Sequence, residues 1–169
     1  MAYSAMSVAN AFVKRAKEGK IRNLTPMKLQ KLLYYLQSWH LVRHDEPLID
    51  DTFHRWTYGP VIPSLYYEFK EYGAQPIGTY GGHLAMRDGA YTRVRTIVGD
   101  SDEDTWSLID EIIRVYGDYS GAQLSAMTHA PDSAWCVSGP DDGGAIENES
   151  MKQCILHSPH FQSGLAENE

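Results

Sequence analysis

The chain has 169 residues, 43% of them hydrophobic and 22% charged, with a net charge of −7. That length suits one domain whose core needs no disulfide or metal staple, and the composition excludes a disordered chain. No apolar run reaches the 18 or so residues of a membrane span, and Met1-Ala2-Tyr3-Ser4 lacks the basic-then-apolar order of a secretion signal.

Residues 4–18 place Ala5, Val8, Ala9, Phe12, Val13 and Ala16 at helical spacing, and Gly19 supplies a left-handed stop. Thr25-Pro26 predicts the next helix start, an N-cap followed by proline at the first position. Leu29, Leu32, Leu33, Leu36 and Trp39 or His40 form its apolar stripe. Lys28, Lys31, Gln37 and Ser38 fall mostly off that stripe, and the helix is expected to run to about His44. Residues 48–62 read as irregular or briefly extended, with a turn at Trp56-Thr57-Tyr58-Gly59-Pro60. Pro63 can start a helix lined by Leu65, Tyr66, Phe69 and Tyr72 and ended by Gly73.

Tyr91 to Val98 alternates with a period of two, so a strand is expected there, with 79–85 as a candidate hairpin partner. A capped helix starts over Ser101–Asp104 and continues through Trp106, Ile109, Ile112, Ile113 and Tyr116 to Gly117. Ser120-Gly121-Ala122-Gln123 is a capping box opening a short helix. Residues 132–144 read as loop. A last helix is expected from Asn148 or Ser150 to His157, stopped by Ser158-Pro159. The expected fold is mainly α: a single domain over 1–169 of about six helices, a small β-hairpin or strand insertion near 77–98, and a frayed tail at 163–169.

The charge is unevenly divided. Residues 14–31 carry seven cations against Glu18 alone, whereas residues 100–169 carry 14 acids against Arg114 and Lys152. A general nucleic-acid binder would be basic overall, so that class is disfavoured. The acidic half suits a basic protein partner or simple solubility. Cys136 and Cys154 lack C-x-x-C spacing, which fits a reducing cytoplasm rather than a secreted scaffold or a cysteine-built zinc site.

Candidate chemistry is sparse. His40 and His44 are four apart on a helix, a spacing at which two histidines can share a metal. Two ligands leave a zinc site unfinished, so a hydrogen-bonded, half-buried histidine is the preferred reading and no metal is expected. His129, near Asp132 and Tyr58 in a folded chain, is a candidate general base; it can equally brace a loop through its two nitrogens. There is no G-x-S-x-G, no G-x-G-x-x-G and no Walker lysine, so no cofactor is expected. Eleven tyrosines and four tryptophans raise a different account. Tyr34-Tyr35 and Tyr66-Tyr67 are adjacent pairs, so one of each is expected to face outward or toward a groove. Exposed Tyr and Trp are what protein interfaces favour, although tyrosine rings also pack with only their hydroxyls in water.

Three segments together carry a resemblance. They are Leu29-Gln30-Lys31-Leu32-Leu33-Tyr34-Tyr35; Trp56-Thr57-Tyr58-Gly59-Pro60-Val61 running on through Tyr66 to Gly73; and Leu124-Ser125-Ala126-Met127-Thr128-His129 with Trp135. In order and spacing they resemble the Panacea domain family, the SocA-like antitoxins and phage-associated GepA-like proteins. The resemblance spans about 5–157. It implies a predominantly helical cytoplasmic domain, of chromosomal, prophage or phage origin, that neutralises a toxin encoded beside it by binding it. In at least one similar case the domain acts as an adaptor to a protease. The alternatives are a phage-encoded regulator of a host defence protein, and an enzyme using His129 with Tyr58 or Asp132. The family carries no agreed catalytic residues. Its motif residues here are Tyr34, Tyr35, Trp56, Tyr58, Gly59, Pro60, Tyr66, Thr128, His129 and Trp135. Physically, they read first as a scaffold, with Gly59 supplying a conformation that other residues resist, and second as a partner groove.

Overall fold

A computed structural model describes residues 2–166. The chain opens with α1 (Ala5–Lys17), capped by Ser4 Oγ accepting from Ser7 N at 3.2 Å. Helix α2 (Pro26–His44) starts at Thr25, whose hydroxyl accepts from Lys28 N, and stops where Asp45 turns left-handed. Around α2 pack α1, α4 (Glu103–Tyr116), α5 (Gly121–Thr128) and α7 (Asn148–Ile155). The α5 capping box is complete, with Ser120 Oγ accepting from Gln123 N and Gln123 Oε1 from Ser120 N.

Helix α2 departs from the amphipathic reading. Lys28, Gln30, Lys31, Gln37 and Ser38 are buried along with its leucines, and both Tyr34 and Tyr35 lie inside. A helix enclosed on all sides has no solvent face, so its polar residues must find backbone partners. Lys28 Nζ donates to Arg22 O and Gly117 O, at 2.8 and 2.6 Å. Gln37 accepts from Leu48 N and Ile49 N and donates to Ile49 O. At 34–35 the central position of α2 keeps both rings from facing outward, and both instead line an inner cavity. At 66–67 both are exposed rather than one.

The stretch after α2 forms β1 (Phe53–Trp56) and β2 (Gly59–Val61), an antiparallel pair whose tight turn is Thr57-Tyr58. On the other edge of β1 lies β5 (Ala145–Ile146). Buried Arg55 organises the loop before β5, donating to Pro140 O, Ala145 O and Asp142 Oδ1. The briefly extended alternative for 48–62 is thus the one realised, β5 follows directly after the expected 132–144 loop, and a short α6 (Ala134–Val137) interrupts the start of that loop.

Helix α3 (Pro63–Phe69) and a 3₁₀ turn (Lys70–Tyr72) follow β2, ending at Gly73 with φ 57°. The insertion is a hairpin of β3 (His83–Arg87) and β4 (Ala90–Val94), its tip the left-handed pair Asp88-Gly89. The strand thus sits four residues earlier at its end than the alternation suggests, because Thr96 O accepts from the Asn10 side chain instead of a strand neighbour.

Pro159 begins rather than merely ends a helix. Helix α8 (Pro159–Ala166) packs Phe161 against Trp39, with ring centroids 5.1 Å apart, and Trp39 Nε1 donates to Tyr116 OH. Residues 163–166 of the tail expected to fray belong to this helix; 167–169 lie outside the described residues. Among the described residues no helix is long and apolar enough to cross a membrane.

Candidate functional site

The turn between β1 and β2 is held carbonyl by carbonyl. Trp56 O accepts from Trp135 Nε1 at 2.9 Å, and Thr57 O lies 2.8 Å from His129 Nε2. Tyr58 O accepts from Ser125 Oγ at 2.6 Å, and Pro60 O from Lys31 Nζ at 3.0 Å. Ile62 exchanges both its backbone groups with the Gln30 amide, at 2.9 and 3.0 Å. A two-residue turn cannot satisfy these carbonyls within its own ladder, so side chains from α2, α5 and α6 do it. Behind them, Thr128 Oγ1 donates to Ser125 O and Ser133 Oγ to Thr128 O. The His129 and Trp135 rings pack with centroids 4.1 Å apart.

Gly59 lies at the centre with φ 113°, a conformation that side chains resist. A Cβ there would stand 2.6 Å from Thr128 Oγ1 and 2.8 Å from Lys31 Cε. Conformation and space both require glycine, because α2 and α5 press against the turn from below.

Above the turn the outer surface is aromatic. Tyr58, Tyr66 and Tyr67 are 67%, 43% and 62% exposed. Half-buried Trp56 meets Tyr66 edge to face at 5.0 Å, and Tyr66 meets Tyr67 at 5.4 Å. Between them opens a cavity of about 250 Å³, lined by Lys31, Trp56, Tyr58, Val61, Tyr66 and Lys70 among others. Lys31 is buried without a carboxylate partner among the described residues, and desolvation pulls its ammonium down to about 7.

The sequence-derived site residues thus divide. Trp56, Tyr58, Gly59, Pro60, Tyr66, Thr128, His129 and Trp135 come together at this turn. Tyr34, Tyr35 and Asp132 line a second cavity with Cys154 and His160. The His129 nitrogens face Thr57 O and, at 2.5 Å, Ser125 O, rather than Asp132 or the Tyr58 hydroxyl. His40 turns Nδ1 to Glu46 O at 2.7 Å, and its ring lies 4.5 Å from that of His44, tilted by 37°. Among the described residues no group of three or more His, Cys, Asp or Glu side chains is placed to hold a metal.

Sequence reading missed Gln30, Lys31, Ser125 and Lys70 as site residues. The signal for the first two was polar residues inside the leucine run of α2. The basic segment 14–31 is also less available than its charge suggests. Lys28 and Lys31 are buried, and Arg15 pairs with Glu18 and with Asp110 on α4.

This arrangement of turn, capturing helices and aromatic rim lies within residues that match a family model. Residues 29–136 match the Antitoxin SocA-like, Panacea domain, and the chain belongs to that family. The match begins in α2 and ends in α6, so it encloses every side chain that holds the turn. The chain is similar to Antitoxin SocA of Caulobacter vibrioides (strain NA1000 / CB15N). The two are 31% identical over 134 residues, which cover 79% of this chain and 69% of that protein. No solved structure matches.

Proposed function

We propose that this chain is a cytoplasmic antitoxin that neutralises a protein toxin by direct, stoichiometric binding, and that the aromatic surface over the β1–β2 turn is where the toxin docks. Membership of an antitoxin family supports the role. The observation that carries the docking surface is the group of exposed rings, Tyr58, Tyr66 and Tyr67, beside an open cavity on a turn whose carbonyls are held by side chains. Tyrosine and tryptophan dominate binding hot spots because they bury large area at small entropic cost, most of all when their scaffold is rigid before binding. Toxin capture through such a surface needs no turnover, and the His129 ring bridges the turn at Thr57 O to α5 at Ser125 O.

The test is co-expression with the product of the neighbouring gene. The expected result is rescue of growth in proportion to antitoxin dose and a stable complex on copurification. Tyr58→Ala and Tyr66→Ala should each weaken the complex by about tenfold or more while the melting curve barely moves. Rescue by trace amounts would sink the binding account in favour of catalysis.

A further inference from the structure

The cavity beneath the exposed tyrosines has a one-sided chemistry. Its walls are aromatic and aliphatic, from Trp56, Tyr58, Val61 and Tyr66, and its charged lining residues are Lys31 and Lys70. Among the described residues lining it there is no carboxylate. Lys31 enters from α2 and is 1% exposed. An ammonium has three N–H donors, and Pro60 O takes one of them here. Lys70, the other cation of the lining, is exposed, its Nζ 5.6 Å from the Tyr67 ring centre. An apolar slot with one buried and one exposed cation disfavours a cationic guest and leaves an anionic one to complete the donors.

We infer that this cavity is a recognition site for a carboxylate carried on an apolar or aromatic group, the form in which a partner protein would present a terminal carboxylate or an acidic anchor beside a hydrophobic side chain. The inference rests on the binding reading above and names the chemistry of its anchor. The carboxylate lies toward Lys31 and Lys70, and the apolar part lies between Trp56 and Tyr66. Because burial holds the free Lys31 amine near neutrality, an arriving anion draws a proton onto it, so binding and proton uptake are coupled.

The probe is a matched series, 3-phenylpropionate, 3-phenylpropanamide and 3-phenylpropylamine, titrated into the intact chain. Amide resonances of Gly59 and Val61 and the Trp56 indole N–H report on the cavity. The acid is expected to shift these signals with an affinity of roughly millimolar order. The amide should bind about tenfold more weakly for want of the charge-assisted hydrogen bonds, and the amine more weakly still. Lys70→Met and Lys31→Met should each weaken the acid and leave the amide unchanged. Calorimetry at pH 8 in buffers of different ionisation enthalpy should show proton uptake with the acid. If Lys31→Met does not fold, the exposed Lys70→Met variant and the proton uptake carry the test. Equal binding of acid and amine, or no shift at the cavity with the acid, overturns the inference. A toxin complex that forms although the acid does not bind removes the carboxylate anchor alone. Acid bound at the cavity with no toxin complex removes the binding function and leaves the carboxylate site standing.

Discussion

Two small antiparallel hairpins sit in this mainly helical protein, and they are built on opposite terms. The β1–β2 turn hands its carbonyls to Trp135, His129, Ser125 and Lys31, and Ile62 just beyond it is held by Gln30. The β3–β4 hairpin is fastened at its base. There the Asn10 side chain bonds Gly81 N, Gly81 O and Thr96 O, and Glu68 reaches Gly82 N and Arg93. Beyond that base Leu84, Met86 and Tyr91 are 69%, 58% and 73% exposed. A lone two-stranded hairpin is marginal in water, so what matters is which groups outside the ladder satisfy and cover it. Where helices do so the turn becomes a fixed platform for a site; where they do not, the hairpin is free to vary without cost to the core.

That contrast can be broken, and Gly59 is the place to do it. Gly59→Val imposes a side chain on a φ of 113° and drives a branched group into Thr128 and Lys31. The expected loss is roughly 2–5 kcal/mol, from backbone strain and overpacking together, or a Tm lower by about 5–15 °C. A melt within a degree of the parent would show that the turn is not a rigid platform.

Lys31 sharpens the comparison through pH. Its ammonium is held near 7 in the fold, whereas an unfolded chain keeps that proton to about 10.4. Between those values the unfolded state binds the extra proton, so stability rises with pH, by at most about 1.4 kcal/mol per unit. This contribution is fully present above about pH 10.4, drains away as pH falls from there, and is gone once pH has dropped below about 7. Burial raises Tyr34, Tyr35 and Tyr116, so above about pH 10 their unfolded forms ionise first and stability falls again. Urea melts across pH 6–11 should show this maximum. Lys31→Met should flatten the rising limb and keep the falling one; an unchanged rising limb would place its cause elsewhere.

His129 probes a single strut of the platform. The Gln amide reaches toward the Nε2 position and can still donate to Thr57 O, whereas Asn reaches only toward Nδ1 and leaves that carbonyl unpaired. His129→Asn should therefore cost about 1–2 kcal/mol and His129→Gln less, with toxin rescue falling only as far as the fold does. A well-folded His129→Asn protein that binds toxin without rescuing growth would instead point to chemistry at the ring. The smallest effect belongs to the other hairpin. Leu84→Ser, Met86→Thr and Tyr91→Thr should each move stability by no more than about 0.5 kcal/mol, read as nearly coincident denaturation curves for each single variant. A larger loss would mean that the hairpin supports the core after all.

The legible parts of this molecule are those whose causes are local. The Thr25-Pro26 start, the Ser120–Gln123 capping box and the spacing of α1 are settled within four residues of chain, and the structure places each where the sequence does. The motif residues around Gly59 could be picked out as a group, but what they do to one another could not. Lys31 meets Pro60 across 29 positions, and Trp135 meets Trp56 across 79. Over 48–62 the sequence suggested brief extension but not the pairing of β1, β2 and β5, because the strands are two to four residues long and β5 pairs with a partner some 90 positions away. Pro159, taken as a stop, starts a helix because Phe161 has Trp39 to bury against. By itself, the sequence determined helices α1 to α5 and α7, the caps and the glycine at the turn, since each follows from hydrogen bonds and sterics between near neighbours. Only the tertiary structure decided that α2 lies at the centre, because enclosure on every side is what turns its lysines and glutamines from a solvent face into inner supports, Lys31 and Gln30 at the site and Lys28 and Gln37 away from it.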